Sequence, residues 1–232
     1  MLIFRLWLCF LFVSLFCLKA KAQDETPAQL LQTISPSLVE VRTVDTKTIN
    51  DSNGHTLVGT YHSQGSGVII DSYGTIVTNT HIIANAPHIY VGLSDGTVLE
   101  ARRVYSSDAD FSFIKIDPPY PLTPITWADS SQAKVGTGIL SLSSGDGSDQ
   151  HILGGTITNL INGASSNDVE VFELDLTLYH GDSGGPLLDN EGHLLGVIMG
   201  KVMSQDNKSY AIASNKIQKE YAQYQQHLIP ST

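Results

Sequence analysis

Cysteine is what most of this chain lacks. Its two cysteines, Cys9 and Cys17, both fall within the first 22 residues. No disulfide can staple the remainder, so a hydrophobic interior has to hold it together. A membrane-length apolar run is missing too. The stretch from Leu6 to Leu18 is short of the ~20 residues that a spanning helix needs. It follows Arg5 and ends in Ala20-Lys21-Ala22, which predicts a secretory signal peptide over residues 1–22, cut after Ala22. Basic residues are scarce: 13 Lys and Arg stand against 23 Asp and Glu, a formal charge of −10. The leader holds Arg5, Lys19 and Lys21 and no acid, so its removal takes that −10 to −13. So acidic a surface argues against nucleic acid and against anionic membranes as partners. Losing 22 of the 232 residues still leaves a chain long enough for a well-buried core.

Sustained helical periodicity is absent before Ser214. Short alternating or apolar runs separated by turns come instead. They are Ser37–Val44, Gly67–Ile70, Thr75–Thr78, His88–Val91, Thr97–Glu100 and Phe111–Ile116, then Gly138–Leu142, Gly154–Ile161, Val169–Leu176, Leu194–Met199 and Tyr210–Ala213. Many short strands with turns between them predict an all-β barrel or sandwich architecture. Asp117-Pro118-Pro119-Tyr120-Pro121 divides them into similar halves. The expected layout is an N-terminal segment at 23–34, with a short helix over Gln29–Ile34, and β units at 35–118 and 119–213. A C-terminal helix and tail at 214–232 follows, with Ile217, Tyr221, Tyr224 and Leu228 on one face and Ser214 or Asn215 as its cap. The polar stretch Asp45–Gln64 is expected to be a long surface hairpin loop, with Asn53-Gly54 as a turn signal.

The chain's chemistry centres on Gly181-Asp182-Ser183-Gly184-Gly185-Pro186. A serine set among glycines packs poorly and is entropically costly. It fits a site where backbone must approach a ligand closely and the hydroxyl must stand free. The N–H groups of Gly181 and Ser183 could then hold a developing oxyanion. Serine is a weak nucleophile without a base. His81, in Thr78-Asn79-Thr80-His81-Ile82-Ile83, sits at the tip of a strand, where a rigid scaffold can hold a catalytic group. Asp110 heads the apolar strand Phe111–Ile116 and is the candidate to orient the His81 ring. The order His81, Asp110, Ser183 matches one of the known chain orders of the Ser-His-Asp triad, with two residues in the first half and one in the second.

These residues resemble the trypsin/chymotrypsin-fold serine proteases, and more closely their bacterial HtrA branch. The resemblance runs from about Ser35 to Tyr221. It rests on Gly65-Ser66-Gly67-Val68-Ile69-Ile70 with the His81 segment, on Leu93-Ser94-Asp95-Gly96 and on the Asp110 strand. Ala128-Asp129-Ser130, Val135-Gly136 and Tyr210-Ala211-Ile212-Ala213-Ser214-Asn215 add to it. It implies two six-stranded antiparallel β-barrels of the chymotrypsin type with a C-terminal helix. Asp182 departs from the HtrA branch, where Asn is usual, and no Ile-Val-Gly-Gly segment is present to pair with it. A buried Asp182 therefore needs hydrogen bonds or another partner. The Ser143–Ser148 loop also departs, and no PDZ domain is expected after the last helix.

The resemblance further implies peptide-bond hydrolysis by an exported, periplasmic or secreted, serine endopeptidase. Ser183 attacks, His81 transfers the proton, Asp110 holds the imidazole, and the N–H groups of Gly181 and Ser183 form the oxyanion hole. A histidine base works only when neutral, which predicts activity rising with pH through about 6–7. Thr177 stands where trypsin keeps an acid, so a basic residue before the cut is not expected. Thr177, Leu178, Tyr179, Ile198, Met199 and Gly200 are the expected substrate-binding residues of a small or apolar pocket, with Lys208 as an alternative that favours acidic residues. Polypeptides are the expected partners, and self-association into a homo-oligomer is left open. No His-Glu-x-x-His and no cysteine pair occurs, so no metal and no cofactor are expected. The alternatives are an inactive protease fold serving as a peptide-binding or chaperone module, a metal-binding exported protein, and an esterase using the same triad.

Overall fold

A strand is buried on both faces only when something covers each of them. In the computed structural model, which describes residues 27–50, 56–84, 86–143, 151–164, 168–201 and 208–228, two strands of the first half meet that condition throughout most of their length. In β3 (Thr75–Asn79) Ile76 points into one hydrophobic cluster and Val77 into another. In β6 (Phe111–Lys115) Ile114 and Phe113 divide in the same way. The cluster around Ile76 and Ile114 fills the first barrel. A second cluster, with Ile139, Phe172, Leu187 and Ala211, fills the other barrel. The third, with Phe111, Phe113, Leu142, Leu188 and Val197, lies between them.

The chain takes the same path twice. β1 (Leu38–Asn50), β2 (Thr56–Ile69), β3, β4 (His88–Gly92), β5 (Val98–Ser106) and β6 close as β1-β2-β3-β6-β5-β4. β7 (Gly138–Ser143), β8 (His151–Asn162), β9 (Val169–Leu174), β10 (Pro186–Leu188), β11 (Leu194–Lys201) and β12 (Ser209–Ala213) close as β7-β8-β9-β12-β11-β10. All pairings within the two barrels are antiparallel, as the resemblance implies.

Three helices complete the described chain: α1 (Pro27–Ile34), the single turn α2 (Thr80–Ile83) and α3 (Ser214–His227). α1 precedes the first barrel but packs on the second, where a Cβ on Gly192 would touch Ile34 Cδ1 at 2.9 Å. α3 follows the second barrel and reaches the first: Tyr221 donates to Asp71 Oδ2 at 2.6 Å and Tyr105 donates to Glu220 Oε2 at 2.7 Å.

Two local expectations change. The surface hairpin loop expected at Asp45–Gln64 is a hairpin with longer strands than the polar composition suggests, because β1 and β2 stay paired from Leu38↔Val68 out to Asn50↔Thr56. Its expected turn at Asn53-Gly54 lies outside the described residues. The expected helix caps serve other bonds. Ala213 is the N-cap of α3, Ser214 Oγ donates to Ala128 O at 2.8 Å, and Asn215 Oδ1 accepts from Ser130 N at 3.1 Å. Those bonds tie α3 to the segment linking the barrels. The signal peptide expected at 1–22 and nearly all of Ser143–Ser148 lie outside the described residues.

Candidate active site

β3 ends at Asn79 and the chain turns at once into α2. Ile82 and Ile83 of that turn are buried, which leaves the His81 ring facing outward. Asp110 closes the turn between β5 and β6. Among the described residues it is the one non-glycine with a positive φ, 61°. Asp tolerates this left-handed conformation better than most side chains. Two donors hold its carbonyl there, Thr80 N at 3.2 Å and Asn79 Nδ2 at 3.0 Å. The carboxylate thereby meets His81 twice. Oδ1 accepts the His81 backbone N–H at 3.0 Å and Oδ2 lies 2.7 Å from Nδ1. A carboxylate only accepts, so the ring proton is assigned to Nδ1, leaving Nε2 basic.

The serine turn is held from several sides. Asp182 N donates to Tyr179 O at 3.3 Å, Gly184 N to Ile198 O at 2.9 Å and Gly185 N to Asp182 O at 3.0 Å. Among the described residues, no hydrogen bond within the chain uses the N–H of Gly181 or Ser183. These are the two donors expected to serve an oxyanion. Gly181 has φ 97° at the third position of the Tyr179–Asp182 turn, as a type II turn requires. Asp182 is buried, and its Oδ2 accepts the Tyr179 N–H at 2.6 Å, a bond of the kind its burial demands. Its backbone carbonyl is also committed, to Gly185.

The two halves of the site meet at Gly65 and Ser66. Ser66 N donates to Ser183 O at 2.8 Å, and a Cβ on Gly65 would strike both Ser183 O and the side chain of Ile82, the residue after His81. His81 and Ser183 thus flank one point of β2. No hydrogen bond joins Ser183 Oγ to His81 among the described residues.

Of the expected substrate-binding residues, Gly200 lies against the serine: a Cβ on it would stand 3.4 Å from Ser183 Oγ. Met199 is half-buried, Thr177 and Tyr179 are exposed, and Leu178 and Ile198 are buried in the core of the second barrel. β10 pairs with β11 only as far as Pro186↔Val197. Among the described residues, no strand pairs with the β10-side edge of β11 beyond Ile198, an arrangement of the kind to which an extended peptide can add. Lys208, the sequence alternative for acidic residues, pairs its Nζ with Glu173 Oε1 at 2.9 Å. A cavity of about 910 Å³ lies elsewhere, behind the Asp110 turn, between Ser107, Asp108, Glu170, Lys216 and Lys219. Ser66, Asn79 and Thr78 were not singled out from the sequence as functional. Their only sequence signal is adjacency to the glycines and to His81.

The family model for the trypsin-like peptidase domain matches residues 65–197, more than half of the chain and including His81, Asp110 and Ser183. The chain belongs to the trypsin-like peptidase family. Its similarity within that family falls on HtrA and DegP proteins. It is 32% identical over 164 residues to a probable periplasmic serine endoprotease DegP-like of Rickettsia conorii, covering 65% of this chain and 32% of that protein. It is 30% identical over 186 residues to the chloroplastic protease Do-like 1 of Arabidopsis thaliana, covering 77% and 42%. To the periplasmic pH-dependent serine endoprotease DegQ of Escherichia coli it is 29% identical over 208 residues, covering 80% and 45%. The chain thus spans between a third and a half of the length of these relatives. A solved HtrA-type protease, AlgW with a decapeptide, superposes with a TM-score of 0.75 at 21% identity over 88% of this chain and 68% of that one. That likeness is one of fold.

Proposed function

We propose that this trypsin-like peptidase family member is an exported serine endopeptidase. Ser183 Oγ attacks the scissile carbonyl while His81 Nε2 takes its proton. Asp110 keeps the Nδ1 proton in place and stabilises the imidazolium. The oxyanion lies between the N–H groups of Gly181 and Ser183, and His81 then protonates the leaving amine. The observation that carries this reading is the double grip of Asp110 on His81, at 3.0 and 2.7 Å, beside a turn with two uncommitted N–H groups. The missing Ser183–His81 bond is consistent with it, because such bonds often tighten only once substrate is seated.

The free edge of β11 pairs with the substrate backbone, and Gly200 leaves room beside Ser183 for a small or apolar residue before the cut. The predicted leader at 1–22 and the periplasmic names of the bacterial relatives support export. The expected surface charge keeps nucleic acid and membranes out of the account. Casein and peptide hydrolysis by the wild type and by Ser183→Ala test the reading. The wild type should cleave and label with a fluorophosphonate, and Ser183→Ala should do neither. A folded wild-type protein that neither cleaves nor labels is instead the inactive peptide-binding module.

A further inference from the structure

We infer that Ser66 of the first barrel is a positioning residue for the oxyanion turn of the second. The inference rests on the protease reading above and adds a part to it. Ser66 is 2% exposed and grips the nucleophile's turn at two points. Its N–H donates to Ser183 O at 2.8 Å and its hydroxyl donates to Gly181 O at 2.7 Å. Thr78 Oγ1 donates to Ser66 O at 2.8 Å, so the clamp is itself fixed. Gly184 lies against it so closely that a Cβ there would collide with Ser66 O and come within 2.7 Å of Thr78 Oγ1.

The hydroxyl matters because of where it acts. The Gly181–Asp182 peptide is held at both ends, its oxygen by Ser66 Oγ and its N–H by Tyr179 O at 3.3 Å. Fixing that plane fixes the ψ of Gly181 and anchors one side of the residue, and its φ of 97° sets the direction of its N–H against that anchor. Glycine takes positive and negative φ about equally readily. Without the hydroxyl that anchor is lost, and the His180–Gly181 peptide, which carries the Gly181 N–H, is freer to rotate out of the type II form. In the alternative form the Gly181 N–H turns away and the developing oxyanion loses one of two donors. Ser66 touches neither substrate nor reacting atoms; it acts through Gly181.

The experiment compares wild type, Ser66→Ala and Ser66→Cys for kcat and KM, for the affinity of a peptide aldehyde that forms the tetrahedral adduct, and for Tm. In Ser66→Ala kcat should fall by about ten- to a hundred-fold, within the ~10²–10³-fold cost of losing one oxyanion donor outright. Aldehyde affinity should weaken in step with kcat/KM while KM for the substrate holds. Ser66→Cys, which keeps the size and a weak donor, should recover part of the loss. If Ser66→Ala does not fold, the Ser66→Cys split between kcat and KM is read in its place. A folded Ser66→Ala with unchanged kcat and aldehyde affinity overturns the inference, as does a loss confined to KM. Fluorophosphonate labelling of the wild type separates the two ideas. A labelled wild type with an indifferent Ser66→Ala sinks only the clamp, whereas an unlabelled wild type sinks the protease reading itself.

Discussion

Asp110 shows how much one residue can be asked to do. Its left-handed φ of 61° turns its carboxylate back toward His81, and Asn79 and Thr80 hold its carbonyl while it does so. Asn also tolerates this conformation, so Asp110→Asn should fold with nearly wild-type Tm. Its amide cannot hold the His81 tautomer, and kcat should drop by about 10⁴-fold. Peptide hydrolysis alongside thermal melts checks both halves of that expectation. At this scale the placement of the candidate residues was legible. Ser183, His81 and Asp110 each sit in a short segment whose local pattern marks a turn or strand end, and each stands where that pattern points. The clamp was not legible. Ser66 and Gly181 are 115 residues apart, and nothing about a serine between two glycines says which carbonyl its hydroxyl will find.

Elements explain what residues cannot. The barrel strands were readable because alternation between an interior face and the inter-barrel face leaves apolar runs such as Phe111–Ile114. The full length of the β1–β2 ribbon was not, because the polar, Gly- and Asn-rich composition of Asp45–Gln64 shows only a hairpin loop and not how far its strands run. α3 was visible as a period, but its cap was misjudged: Ser214 and Asn215 look like caps and serve as ties to Ala128 and Ser130, with Ala213 as the N-cap. Asn215 also donates to Asp129, and that bond, with those from Ser131, holds the Asp129 carboxyl down at about 2. Along the same helix, burial and the Glu220 carboxylate push the Tyr105 hydroxyl up to about 12. The folded state thus holds this proton more tightly than the unfolded chain, whose tyrosines titrate near ~10. The contribution is fully present below pH ~10 and is lost as pH rises toward 12. Denaturant unfolding from pH 9 to 12 should show stability falling in that window. In Tyr105→Phe the fall should be shallower.

For the molecule as a whole, both terminal helices cross between the barrels. α1 leads into the first barrel and packs on the second, while α3 packs back on the second and reaches the first through Tyr221 and Glu220. The inter-barrel cluster, which holds Leu30 and Ile34 from α1 and Ile217 from α3, welds the two into one cooperative unit. Leu30→Ala should then cost about 2–5 kcal/mol, with the damage appearing far away in sequence. Hydrogen exchange should speed up in β10 and β11 before it does so in β4 or β5, and a single unfolding transition should persist. A change confined to the first barrel would contradict this arrangement.

The crossing also sets a timetable. A chain delivered from its N-terminus presents α1 long before the strands that form its seat exist. Gly184 cannot be held until Ile198 arrives, and the oxyanion turn cannot be fixed before both barrels meet. A chain delivered only as far as Ser183 therefore carries His81, Asp110 and Ser183 without a fixed turn around the serine. On the proposed protease reading, hydrolysis begins only when the last strands are home, which spares the newly made protein from premature cleavage.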